Sequence, residues 1–241
     1  MKKFPPKLIS FNLIFIVTVL FISPLYAQDC IILLHGLARS NTSMEKMATA
    51  LDTAGYQVIN KDYPSRQYTI EKLADQTISS ALGDCPKNST IHFVTHSMGG
   101  ILVRQYLSKH QLANLGRVVM LGPPNKGSEV VDKLHNVPGF KLINGPAGMQ
   151  LGTGRLSVPN RLGPADFELG IIAGTRSINL ILSSMLPNPD DGKVSVENTK
   201  LEGMQDHIAM PVTHPFMMQN KDVITQVIHF LKQGVFDKSG N

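Results

Sequence analysis

The sequence predicts an α/β fold in which a mostly parallel sheet of about six strands carries helices on both faces. Three observations predict it. Short continuous apolar runs recur, as strands buried on both faces require. Between them lie segments whose apolar residues repeat at helical spacing. The two kinds also alternate along the chain, the order that joins parallel strands through helical crossovers. Composition permits one such domain. Of 241 residues, 42% are apolar and 17% charged, near the globular average and far from that of a disordered chain. No period recurs, which excludes tandem repeats and coiled coils. A single domain of this length buries about 70% of its unfolded surface.

Residues 1–27 read as an export signal. Lys2, Lys3 and Lys7 form a positive start, Leu13 to Ile22 is an apolar core, and Leu25-Tyr26-Ala27 offers a small residue for cleavage. An uncleaved anchor over Leu8 to Gln28 is the alternative, weakened by Ser10, Asn12, Ser23 and Pro24. Asp29 before Cys30 argues against lipid attachment there. The mature domain is then 28–241, periplasmic or secreted. Those three lysines also explain most of the formal charge of +5, leaving +2, too little to argue for nucleic acid. Cys30 and Cys85 are the only cysteines, and an even pair in an oxidising compartment bonds. Two buried free thiols are the plainer alternative.

Taken in order, Ile31 to Leu34 is the first strand. Thr42-Ser43-Met44-Glu45 is a capping-box signal for a helix carrying Met44, Met47, Ala48 and Leu51 on one face. Gly55 ends that helix and Tyr56 to Ile59 forms the next strand. Ile70, Leu73, Thr77, Ile78, Ala81 and Leu82 mark a second amphipathic helix. Ile91 to Val94 is a strand, Ile101 to Leu107 a helix, and Val118 to Leu121 a strand again. From Gly122 to Pro164 glycine and proline are so frequent that regular structure is not expected. The segment also lacks apolar residues for a core of its own, so neither a second domain nor a large cap is predicted. Leu169 to Ala173 and His207 to Met210 complete the strands. A final helix carries Val223, Ile224, Val227, Ile228 and Leu231 on one stripe.

The strongest chemical signal is Thr95-His96-Ser97-Met98-Gly99-Gly100, directly after a strand and directly before a helix. A serine in that setting sits on a sharp turn with its hydroxyl above the sheet edge. The turn needs small residues two positions to either side. Gly99 meets the need, whereas Thr95 stands where a glycine is usual. Such a short pattern is common by chance, and the strand–turn–helix context is what makes Ser97 a candidate nucleophile. The helix that follows offers free N–H groups to a developing oxyanion. His35-Gly36-Leu37 places a second turn at the end of the first strand, so the N–H groups of Leu37 and Met98 could address one carbonyl oxygen. Alone, that turn would read as a plain strand-to-loop junction, and His35 reads as its structural brace. No metal-binding spacing, phosphate loop or dinucleotide fingerprint is present, and no cofactor or metal is expected.

These segments, together with Gly122-Pro123-Pro124-Asn125-Lys126-Gly127-Ser128, resemble the α/β-hydrolase superfamily. More narrowly, they resemble its small bacterial lipase and esterase branch, which includes triacylglycerol lipases and inositol-deacylase-like proteins. The resemblance covers 29–233. It implies acyl-ester hydrolysis by a serine, an acid and a histidine in that chain order. Related lipases carry the acid in an Asp-Gly-x-Val segment, which maps onto Asp191 of Asp191-Gly192-Lys193-Val194. Asp190 is the runner-up and Asp132 a weaker candidate. Either of the adjacent pair could instead serve only the Asp-Gly turn. The base maps onto His214, in the loop before the last helix, ahead of His207 at a strand start. His229 reads as solvated, and His92, His110 and His135 have no evident partner.

Several further expectations follow. The run Ile178, Leu180, Ile181, Leu182, Met185 and Leu186 precedes the acid and could wall an acyl-chain site, with Leu180, Leu182 and Met185 as substrate contacts. An ordinary core helix is the competing reading. An acyl ester or lipid is the expected substrate, with transient contact at a membrane surface. Acyl transfer through the same acyl-enzyme, or a catalytically dead binding scaffold, are the rivals. The family's strand order would set the strands of Cys30 and Cys85 side by side, both cysteines at the amino end of the sheet.

Overall fold

A computed structural model describes residues 1–2 and 28–239. The signal segment expected over 1–27 lies, but for its first two residues, outside the described residues. Six strands form one sheet: β1 (Cys30–Leu34), β2 (Gln57–Lys61), β3 (Ile91–His96), β4 (Leu115–Leu121), β5 (Leu169–Gly174) and β6 (Asp206–Met210). All neighbours pair parallel, in the order β2-β1-β3-β4-β5-β6. The order reverses between β1 and β3, and a crevice outside the carboxyl ends of strands forms at such a point.

Alternation along the strands divides the core in two. Ile31, Leu33, Val94, Val119, Leu121 and Ile172 face α1 (Glu45–Thr53) and α9 (Lys221–Gln233). Ile32, Leu34, Phe93, Val118, Met120 and Ile171 face α2 (Ile70–Asp84) and α3 (Met98–Leu107). Both faces of the sheet are therefore dry, which is why its strands read as unbroken apolar runs. Phe230 on α9 is fully buried beside the predicted stripe. Asn220 caps that helix by accepting from the Asp222 and Val223 amides, and Gly234 ends it at φ 77°.

Two expectations need correction. The capping box at Thr42 does not form: Asn41–Met44 is a 3-10 turn, and the helix proper begins at Glu45. The hydroxyl of Thr42 pairs with that of Ser40, and that of Ser43 donates to the Ser40 carbonyl. The stretch after β4 also contains regular structure, namely α4 (Glu129–Leu134), α5 (Phe140–Met149) and α6 (Val158–Arg161). Tertiary contact sustains these short helices, because Val130, Ala147, Leu151 and Val158 are buried. Gly145 kinks α5 at φ 65°, where a Cβ would lie within 1.9 Å of the Arg66 carbonyl oxygen.

Cys30 and Cys85 are joined by a disulfide with Cα atoms 5.9 Å apart. Cys30 opens β1, and Cys85 lies between α2 and β3 at the same, amino end of the sheet.

Candidate active site

The site is built at the carboxyl ends of β1, β3, β4 and β5. Ser97 links β3 to α3 with φ 55° and ψ −122°, a conformation non-glycine residues avoid and functional turns retain. Gly99 permits the turn, since a Cβ there would lie 2.6 Å from the Leu34 carbonyl oxygen. Thr95 does not prevent it: the residue is fully buried in β3, in register with Leu34 and Met120.

Ser97 Oγ is 3.0 Å from His214 Nε2. On the other side of that ring, His214 Nδ1 is 2.7 Å from Asp191 Oδ2. The Lys193 and Val194 amides donate to Asp191 Oδ1 at 3.0 and 2.9 Å, so the carboxylate is buried yet satisfied. The His214 amide donates to the Asp191 carbonyl, tying the two loops together. Gly122 turns at φ 53° beneath this pair, and a Cβ there would come within 2.9 Å of Asp191 Oδ2.

The structure thus brings Ser97, His214 and Asp191 together and leaves the other candidates elsewhere. Asp190 accepts from Ser183 Oγ and the Gly192 amide, both at 2.7 Å. Asp132 clamps Thr153 through its amide and hydroxyl. His207 pairs with Thr199 Oγ1, at the end of the single turn α8 (Val196–Thr199), near the amino end of β6. His35 is buried, stacks on Tyr63 with centroids 4.0 Å apart, and donates from Nδ1 to the Gly36 carbonyl. Burial pushes its pKa below the usual imidazole value. Neither the Leu37 nor the Met98 amide is taken up by a partner among the described residues. Met98 opens α3, where an N–H has no partner one turn back. Gly36 lies so near Ser97 that a Cβ on it would be 3.1 Å from the serine Cβ.

Residue-level reading of the sequence missed His96. Its Nε2–H donates to the His214 carbonyl at 2.9 Å, and the two rings lie 4.7 Å apart. Burial first, and the nearby His214 second, hold its pKa well below the ordinary value. A neutral ring is therefore locked under the histidine loop. Its place directly before Ser97 was the available signal.

A cleft of about 480 Å³ opens over Ser97 and His214, walled by Val130, Val131, Phe140, Ile143, Ile178 and Leu182 among others. Of the three expected substrate contacts only Leu182 lines it. Asn179 caps the single turn α7 (Leu180–Ser183) by accepting from the Leu182 amide. Leu182 on that turn and Ile178 in the extended chain before it both line the cleft, while Leu180 is 79% exposed and does not. Met185 is half-buried outside the cleft lining, and Leu186 is buried.

Among solved structures, the chain is similar to Bacillus licheniformis lipase BlEst2 in its mature form. The TM-score is 0.65 and the identity 21%, over 85% of this chain and 92% of that one. It is also similar to the lin2722 gene product of Listeria innocua, with TM-score 0.58 and 19% identity over 88% and 96% of the two chains. For phospholipase PlaB from Legionella pneumophila the values are 0.55 and 19%, over 72% of this chain and 45% of that one. No protein-family model and no curated protein sequence matches. Likeness at 19–21% identity speaks for architecture, and the sheet order, the serine turn and these neighbours agree on it: the chain has the α/β-hydrolase fold.

Proposed function

We propose that the protein is an exported serine hydrolase of carboxylic acyl or lipid esters, with Ser97 as nucleophile, His214 as base and Asp191 as the group that orients it. The observation that carries the reading is the continuous hydrogen-bonded line from Ser97 Oγ through the His214 ring to Asp191 Oδ2. A serine hydroxyl is a weak nucleophile near neutral pH, so an imidazole must take its proton as it attacks. Asp191 holds the tautomer with hydrogen on Nδ1, leaving Nε2 free to accept, and it stabilises the imidazolium that forms. The attacked carbonyl oxygen becomes an oxyanion facing the Leu37 and Met98 amides. His214 returns the proton to the leaving alcohol, and the acyl group remains on Ser97. Water then attacks, gives its proton to His214, and the acid leaves as Ser97 recovers its hydrogen.

The apolar cleft walls favour an acyl chain over a peptide. Ile143 and Ile178 line the cleft while staying 61% and 65% exposed, and Phe216 stands 54% exposed just past His214. This apolar rim supports transient contact with a lipid surface. Export is supported by the disulfide, and no helix among the described residues is long and apolar enough to cross a membrane. The test is a chain-length series of acyl esters offered to purified 28–241. Turnover should rise with chain length, and Ser97→Ala and His214→Ala should each cut kcat by about 10⁴–10⁶. Retained turnover in either variant would contradict the assignment.

A further inference from the structure

Arg39 and Lys193 are the only basic side chains, histidine aside, in the cleft lining, and Asp191 is its only acid. That acid is committed to His214 and to two backbone amides. Six cations away from the cleft have carboxylate partners, Lys61 with Asp84, Arg117 with Glu168, Lys126 and Lys200 with Glu197, Arg161 with Glu71 and Lys238 with Asp206, and the cations without one, apart from Arg39 and Lys193, lie outside the cleft lining. Arg39 and Lys193 pair with none among the described residues, and both are solvent-exposed.

Their backbones are held at this mouth. The Lys193 amide donates to Asp191 Oδ1, and its carbonyl accepts from Ser128 Oγ at 2.7 Å. Arg39 follows Ala38, whose amide donates to Ser65 Oγ and whose φ is 55°. Apart from Ser97, only Ala38 and Asn88 adopt positive φ as non-glycine residues among the described ones. Strain of this kind persists where the surrounding structure enforces it, and it gathers at ligand-binding turns. The charge of Arg39 reaches both Lys193 and His96. Burial is the main cause that lowers the His96 pKa, and for the exposed Lys193 it is desolvation by the adjoining cleft wall, opposed by Asp191; Arg39 lowers both further. Asp191 is the nearby negative charge that Lys193 feels, and it is already engaged by His214, so the two like charges at this mouth gain from a further anion.

Resting on the hydrolase reading, we infer that the ester taken by this cleft carries an anionic group, a phosphate or a carboxylate, on its alcohol portion, placed between Arg39 and Lys193. The apolar walls from α4, α5 and α7 receive the acyl chain, which leaves the cationic mouth to the alcohol. A neutral glyceride leaves both charges unanswered. An anionic ester gains from them on approach and in the bound state, and it loses that gain as salt screens the mouth.

The test compares three soluble esters of one acid: 1-octanoylglycerol, its 3-phosphate and its 3-hemisuccinate, each followed by release of octanoate. At about 20 mM salt the phosphate ester should exceed the neutral one in kcat/KM by about tenfold, and by little at about 0.5 M salt. Arg39→Gln and Lys193→Gln should each lower that ratio about threefold, as loss of one exposed charge does. A hemisuccinate that shares the preference supports recognition of anions in general, and one that does not narrows it to phosphate. Equal rates on all three esters by an active enzyme, or a ratio that ignores both substitutions, would overturn the inference and leave the hydrolase standing. If octanoylglycerol too is untouched, the hydrolase reading fails and the inference falls with it.

Discussion

Asp190 and Asp191 are neighbours of one residue type, only 3% and 1% exposed, and differ in where their oxygens go. Asp190 spends both on its own loop, accepting from Ser183 and Gly192. Asp191 gives one oxygen to the loop and aims the other at His214. Asp191→Asn should therefore lower kcat by about 10⁴, because an amide no longer dictates the tautomer. Asp190→Asn should act on stability, with kcat within about tenfold of the parent, since it breaks a buried bond outside the reacting line. A reversed order of the two kcat losses would exchange their roles. Ser97 and His214 were legible as residues because a motif and a chain order point to them. The bond from His96 to the His214 carbonyl was not. It joins positions 118 apart, and no local pattern encodes which carbonyl a buried ring will find.

At the scale of elements, strands and long helices were legible wherever burial imposed a period, as in β1, β3, α2 and α9. The helices α4, α5 and α6 were not, because they are short, α5 and α6 contain glycine or proline, and their stability comes from distant partners such as Arg66 beneath Gly145. The Thr42 signal misled for a related reason: its hydroxyl found Ser40 before it found the helix. The disulfide ties the start of β1 to the chain leading into β3, across 55 residues. Chain-entropy arithmetic for that loop gives about 4 kcal/mol. The Cys30→Ser/Cys85→Ser double variant should thus lose up to that much unfolding free energy, read as a lower urea midpoint, with kcat unchanged. The cysteines lie at the end of the sheet opposite Ser97, so a double variant of full stability, or one stable but inactive, would contradict this division.

Across the whole molecule, acid should act through the buried imidazoles. His35, His92 and His96 are at most 5% exposed, and burial is the first cause that lowers each pKa. Their folded values lie below the unfolded value near 6.5, so the unfolded chain binds more protons between the two. The stability these groups contribute is complete above about pH 6.5 and is lost as pH falls toward their folded values. The slope reaches about 1.4 kcal/mol per pH unit for each histidine that titrates. Urea midpoints measured from pH 7.5 down to 5 should fall steadily. A flat profile would mean that these rings are protonated, or exposed, in the native state.

Ser97 should behave as an activated nucleophile rather than as a serine that happens to lie beside an imidazole. Intact-mass and peptide analysis after exposure to a fluorophosphonate tests that most directly. The protein is predicted to gain one adduct, mapped to Ser97, and the His214→Ala variant to gain it far more slowly. An unmodified protein, or an adduct on another residue, would contradict the account.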